Sequence, residues 1–416
     1  MKILEACLHL VRRVTRKASR APAWLMRTAV ALYAQVVHQL VLTLTERYWL
    51  IDYLPKKSAG NESMLLVRLD LIGDFIIWLD AAKEFKNLYP NKRIVLYANS
   101  TWAALAAKLL YWDEVIAVDV PRLREDHVYR LGVLTQTHCR GFGIAIQPTY
   151  SREYVGDLVI RATGAVQRIA HLGDTNNITL DHKVTADVWY TRLIPKAPGP
   201  EIELTINAAL IRVLGKSSFE SNVPVLPVLT ELPALLKIKA PYCVLVPGAS
   251  WAPKTWPIES FAQLAHKIRA QHGLQIVLCG TPNEQPICRQ LALICGGDIL
   301  DLSGQTTLIQ LVEVIRQATL VVTNDSSAVH IAAATATQAI CILGGGHYGR
   351  FLPYQLETSS AYRNVPIVLN EHMDCYGCRW RCKYLVAPIE LVPCVANVSL
   401  ERVASACANI LNLIES

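Results

Sequence analysis

The stretch LVVTNDSSAVHIAAA, Leu320 to Ala334, decides how the chain is read. A short apolar, β-branched run ends in Thr323-Asn324-Asp325-Ser326-Ser327 and passes into a small-residue, helix-like run carrying His330. The order strand, polar turn, helix start sets several backbone N–H groups and two hydroxyls at a helix N-terminus. Such a terminus carries partial positive charge and unpaired donors, which suits a phosphate. The plainer alternative is that Asp325 or Ser326 only caps the helix.

Around this stretch the second half alternates regularly. YCVLVPG, QIVLCG, DILDLSG, LVVTND and AICILGGG read as five short strands, with helical segments starting near Ile258, Gln285, Leu308 and Ala328. The first half repeats the pattern from Met64. MLLVRLD, RIVLYA, EVIAVD and GIAIQP read as strands and RIAHLG as a shorter one, with helices through Ile76–Leu88, through Leu110 and over Asp157–Gly164. Strands alternating with helices predict parallel sheets covered on both faces. A Pro-rich linker falls near Ser217 to Pro233. The expected division is a basic helical extension over 1–60, an α/β domain over 61–220, a second over 235–395 and a C-terminal helix over 396–416 that packs back across the domains. Two such halves form a cleft lined by the C-terminal ends of both sheets, where ligands of these folds bind.

With 416 residues, 52% hydrophobic and 18% charged, the chain has ample material for buried cores and is not disordered. The net charge of +7 is carried by residues 1–60, with ten Lys/Arg against three acids, and the remainder balances. The body is therefore no general polyanion binder, and nucleic acid is not the expected partner. Residues 28–45 (TAVALYAQVVHQLVLTLT) are uncharged. Their polar residues fall on one helical face behind the Arg12–Arg27 cluster, which favours an interfacial helix on an anionic leaflet over a soluble packed helix or a span. Most of the twelve cysteines sit in apolar segments, for example Cys243, Cys279 and Cys341, and read as buried small hydrophobes in a reducing compartment.

Four further constellations carry chemistry. Arg68-Leu69-Asp70-Leu71-Ile72-Gly73-Asp74-Phe75 follows the first strand and opens a helix. Gly73 lets backbone approach a ligand there, and Asp74 is placed to take a proton, with an N-cap role for Asp70 or Asp74 as the alternative. This first strand-to-helix turn holds no G-x-G-x-x-G, which argues against dinucleotide chemistry. VLVPGASWAPKTWPIESF, Val244 to Phe261, puts Ser250 and Lys254 in a strand-to-helix loop, where an ammonium neutralises phosphate and Trp251 and Trp256 exclude water; a surface lysine is the alternative. Ser303-Gly304-Gln305 and Gly344-Gly345-Gly346-His347 end neighbouring strands and suggest a nucleotide or diphosphate pocket. Finally, Cys375, Cys378, Cys382 and Cys394 have a spacing that permits a structural Zn²⁺ site, an iron–sulfur cluster, two disulfides or free thiols.

Taken together, RLDLIGDF, PGASWAPKTWP and DLSGQTTLIQLVEVIRQATLVVTNDSSAVHIAAA make the chain, from about Met64 onward, resemble glycosyltransferase family 9, the ADP-heptose:lipopolysaccharide heptosyltransferase-like enzymes. The resemblance implies a GT-B-like fold, two Rossmann-like domains facing a central cleft, the first for the acceptor and the second for a nucleotide-sugar donor. It implies inverting transfer to a lipid-linked glycan with no cofactor required for catalysis, by a protein peripheral to the inner face of the cytoplasmic membrane. By the same resemblance Asp74 is the base, Lys254 the phosphate-binding lysine, and Asp325, Ser326 and His330 the donor motif, with Ser250 and Ser327 beside them. Ser327 stands where the family has glycine, and GGGHYGRFLPY replaces its Gly-Pro-Thr-like turn. A nucleotide-sugar epimerase and a non-catalytic glycan-assembly protein are the competing readings.

Overall fold

The computed structural model describes residues 62–415 apart from 198, 200, 233–235, 298, 357–364 and 385–389. The readings made for residues 1–60, the candidate interfacial helix among them, lie outside the described residues.

Two six-stranded, wholly parallel sheets organise the chain. The first comprises β1 (Ser63–Arg68), β2 (Arg93–Asn99), β3 (Glu114–Val118), β4 (Ile144–Gln147), β5 (Gln167–His171) and β6 (Arg192–Ile194), in the order β3-β2-β1-β4-β5-β6. The second comprises β7 (Tyr242–Val246), β8 (Gln275–Leu278), β9 (Ile299–Asp301), β10 (Leu320–Asn324), β11 (Ala339–Ile342) and β12 (Ile367–Leu369), in the order β12-β11-β10-β7-β8-β9. Each sheet reverses direction of growth once, between β1 and β4 and between β7 and β10, and crevices for ligands open at such points. The expected GT-B-like architecture of two Rossmann-like sheets is borne out. The ten strands read from the sequence are present. β6 and β12, three residues each at sheet edges, were not read.

The strands are apolar runs because both faces are covered. Met64 to Val67 and Leu320 to Val322 are buried throughout. The helices that position the site are α1 (Ile72–Ala82), α2 (Tyr154–Ala162), α3 (Leu180–Asp187), α4 (Glu203–Leu214), α5 (Ile258–His272), α6 (Gln285–Cys295), α7 (Leu308–Arg316), α8 (Ser327–Ala334) and α9 (Leu400–Glu415). Apart from Asp74 and Asp80, α1 is apolar all round, as suits an enclosed helix. From Phe75 to its end it is buried, between the first sheet and α8 of the second domain. One apolar cluster therefore runs from Met64 and Leu66 through Phe75, Trp78 and Ile211 to Val312, Ile331 and Ala332, joining the two domains.

Phe75 stacks on Trp102 at 4.0 Å, and Trp78 stacks on Trp112 at 6.0 Å. The chain between the domains is strapped down rather than free. Asn222 N–H donates to Asp80 Oδ2 (2.9 Å), Leu226 N–H to the Ala334 carbonyl (2.8 Å) and Leu229 N–H to Glu313 Oε1 (2.8 Å). The C-terminal helix does not cross the domains. α9 lies on α5, and Val403, Cys407 and Leu411 complete the second domain's core.

Phe75→Ala is expected to cost about 3–5 kcal/mol, the loss typical of a deleted core aromatic. Urea unfolding checks this, and a loss under about 1 kcal/mol would show that the stack does not anchor α1.

Candidate active site

Asp74 sits in the first turn of α1 and is not its cap. The N-cap is Leu71, without a side-chain bond to the helix, and Asp70 instead pairs with Arg68 (Nε to Oδ2, 2.7 Å). Arg68 is fully buried at the end of β1. Its Nη2 donates to the Asp74 carbonyl (3.2 Å) and lies 3.7 Å from Glu203 Oε1, and Nη1 reaches Asn207 Oδ1 at 3.5 Å. Burial drives the Asp74 carboxyl well above the usual carboxylate range, and the nearby charges of Asp70 and Glu203 push it the same way. Arg68 and Arg350 oppose the rise without cancelling it. Asp70 is raised for the same leading reason.

Gly73 brings this turn against the second domain. A Cβ built on it would stand 3.2 Å from His330 Cδ2 and 3.8 Å from Ser327 Cα. The first turn of α1, which carries Asp74, thus abuts the start of α8 at Ser327 and His330.

On the second-domain side, Ser326 is the N-cap of α8. Its Oγ accepts from Ala328 N–H (3.3 Å) and pairs with Thr323 Oγ1 (2.9 Å), as the capping alternative expected. Asn324, buried and not singled out from the sequence, ties the turn to the loop after β7. Its Nδ2 donates to the Pro247 carbonyl (2.8 Å), and its Oδ1 accepts from Trp256 N–H (2.9 Å). That loop carries Lys254, whose Nζ donates to the Asp325 carbonyl (3.2 Å) and lies 5.3 Å over the Trp380 ring. Ser250 is exposed at the loop tip. Trp251 packs on Trp380, whereas Trp256 belongs to the core and donates to the Val398 carbonyl.

His330 is buried, and burial pushes its pKa down to about 4. It is neutral near pH 7. Its Nδ1 meets the Tyr354 hydroxyl at 2.8 Å. With the phenol donating, the imidazole proton sits on Nε2.

Gly344–Gly346 do not line an open pocket. Cβ atoms there would meet the Tyr376 and Trp380 rings at 2.3–2.7 Å. The glycines let the cysteine-bearing loop lie on the end of β11, held by Gly377 N–H to the Gly345 carbonyl (2.8 Å) and Arg379 N–H to the Gly346 carbonyl (2.9 Å). Positive φ at Arg379 (53°) and Trp380 (62°) turns Trp380 inward between Cys378 and Cys382. Cys375, Cys378, Cys382 and Cys394 are free thiols, and among the described residues no three Cys, His, Asp or Glu converge to hold a metal. Cys394 instead accepts the Gly345 N–H (3.4 Å). The expected Zn²⁺ or iron–sulfur site is not assembled among the described residues; burial pushes the Cys375 and Cys394 thiols up, and the neighbouring thiols push the same way.

Sequence reading also missed Arg68, Glu203, Arg350 and Tyr354. A lone arginine in the apolar β1 run was the one available signal.

Residues 219–376 match the model of the family described as Glycosyltransferase family 9 (heptosyltransferase). The chain is 34% identical over 103 residues to lipooligosaccharide heptosyltransferase 2 of Haemophilus influenzae, covering 24% of this chain and 30% of that protein. It thus spans about a third of that relative's length. Its fold is similar to that of a family 9 glycosyl transferase from Veillonella parvula (TM-score 0.66, 16% identity, 87% of this chain and 99% of that one). It is also similar to that of the ADP-heptose LPS heptosyltransferase II of E. coli (TM-score 0.59, 17% identity, 85% and 100%). The second domain thus carries the pattern of glycosyltransferase family 9, and the chain shares the fold of these two solved structures along both domains.

Proposed function

We propose that the chain is an inverting glycosyltransferase that moves a heptose or related sugar from a nucleotide-diphosphate donor to a hydroxyl of a lipid-linked, lipopolysaccharide-type glycan. The observation that carries this reading is the seating of Gly73 on Ser327 and His330. It sets the helix turn that carries Asp74 against the amide-rich helix start of the other domain. The E. coli structure named above, an ADP-heptose transferase, supports an ADP-linked donor.

The donor diphosphate rests on the N-terminus of α8 at Ser326 and Ser327, with Asp325 and Ser250 at its margins. Lys254 supplies the positive charge, and neutral His330 donates a hydrogen bond from Nε2 as charge develops on the leaving oxygen. The acceptor oxygen attacks the anomeric carbon from the opposite face. Its bond to that carbon forms as the carbon–phosphate oxygen bond breaks, and its proton passes to Asp74. A base held above the usual carboxylate range is better matched to a hydroxyl proton near neutral pH than an ordinary aspartate. Beside Asp74, Asp70 Oδ1 and Asn207 Nδ2 are buried without a hydrogen-bond partner among the described residues, a setting that suits the hydroxyls of a glycan. The basic segment 1–60 suits the anionic inner face of the cytoplasmic membrane, where a lipid-linked acceptor is held.

Three outcomes are expected. Asp74→Asn loses at least about a hundredfold in transfer rate with ADP-heptose. The wild-type rate climbs with pH through an acid limb near neutrality or above, because the base works only when deprotonated; a limb near pH 4 contradicts the raised carboxyl. Second, ADP raises the melting temperature of the wild type, and this shift is lost in Lys254→Met; an unchanged shift removes Lys254 from the phosphate subsite. Third, the full chain sediments with vesicles containing anionic lipid and is released as salt rises. Salt-insensitive or absent binding contradicts the membrane role.

A further inference from the structure

The loop that follows β11 does more than support the donor side. It sends Arg350 across the domain interface into a recess of the first domain. Arg350 Nη2 donates to Ser151 Oγ (2.9 Å) and to Glu203 Oε2 (3.3 Å), and Nη1 lies 3.7 Å from Asp174 Oδ2. Its guanidinium stands over the Tyr150 and Phe351 rings, at 5.8 and 5.0 Å. The backbone locks the same register, with Glu203 N–H donating to the Arg350 carbonyl (2.9 Å). The loop's other end carries His347, which packs edge-on against Trp380, the ring under Lys254. One loop thus touches the phosphate side and the carboxylate side of the crevice.

The groups that face Asp74 are few. β1 and its turn contribute Arg68 and Asp70, α4 contributes Glu203, the loop contributes Arg350, and α8 contributes the neutral His330. Within the first domain this is one arginine against three carboxylates. Arg350 is the second cation, and it belongs to the other domain.

We propose that Arg350 is a positioning residue for the transfer: by docking between Ser151, Asp174 and Glu203 it brings a positive charge to the Asp74 cluster only when the two domains are apposed, and so couples domain closure to the readiness of the base. The proposal rests on the reading of Asp74 as the base. An opposite charge near a carboxyl favours its ionised form by one to three pK units at short range. With its guanidinium drawn away, the cluster would hold its protons more tightly and the base would be idle. Arg350 touches neither reacting atom and acts through Glu203 and Asp74.

A substrate-free measurement tests this. Melting temperatures of the full chain with Asp74 and with Asp74→Asn are compared from about pH 5 to about pH 10. Charged Asp74 destabilises the fold, so the advantage of Asp74→Asn grows with pH and levels off once Asp74 is fully ionised. The levelling-off point reports its proton affinity. In an Arg350→Met background that point is expected to move up by about one pH unit, and in Arg350→Lys to stay within about half a unit of wild type. Should Arg350→Met fail to fold, Arg350→Gln removes the charge while keeping hydrogen bonds. An unmoved levelling-off point in either folded, uncharged variant overturns the proposal. The acid limb of transfer with ADP-heptose should move with it. Full transfer by Asp74→Asn would instead defeat the base assignment while leaving the titration result standing, so the two failures are told apart.

Discussion

The close approach of α1 to α8 at Gly73 is the constraint on which the site depends. A side chain at position 73 would push into His330 Cδ2 at 3.2 Å and move the two helix starts apart. Everything catalytic follows from that proximity, because the carboxylate and the amide-rich turn come from different sheets and have no other reason to meet. The apolar cluster through Phe75, Ile331 and Ala332 holds the helices in contact, and the small residues of α8 keep their axes close. The sequence AVHIAAA thus serves packing and chemistry together.

The electrostatics of the crevice run against the local helix field. A carboxylate in the first turn of a helix gains about 0.3–1 kcal/mol from the dipole, which lowers its pKa by less than one unit. Asp74 nevertheless rises by several units, because burial and two neighbouring carboxylates outweigh the dipole and two arginines. Natural folds keep such an unfavourable charge arrangement mostly where it is used. The buried Arg152–Asp157 pair, with Tyr190 donating to Asp157, shows the contrasting case: there the charges are paired and hydrogen-bonded within the first domain's core. Asp74 has no such direct ion-pair partner among its described contacts.

How much of this was legible depended on the length of the signal. Apolar runs such as MLLVR and LVVTN are strands in any reading, since both faces are buried and no alternation is needed. The helix starts read near Ile258, Gln285 and Leu308 fall at those residues, and at the last Thr307 and Gln310 form a reciprocal cap. Arg350 was illegible for a different reason. Its partners Ser151, Asp174 and Glu203 lie about 150–200 positions away, and no local pattern encodes a contact made only when two sheets face each other. Glu203 looked like any acidic residue in the first turn of a helix.

The cysteine segment shows how spacing can mislead in the opposite direction. Cys375, Cys378 and Cys382 are close in sequence as metal ligands would be, yet what the fold uses there is the aromatic content between them. Tyr376 and Trp380 enter the space left by three consecutive glycines, and the backbone turn at Arg379 and Trp380 is held in a left-handed conformation. Such a turn is strained for residues with a Cβ, and packing must compensate for it. The compensation is visible: Trp380 closes against His347 and Trp251 and lies beneath the Lys254 ammonium. The Gly-Gly-Gly run is therefore a socket for the loop that seats Lys254, and its bearing on phosphate passes through Trp380 rather than through its own amides.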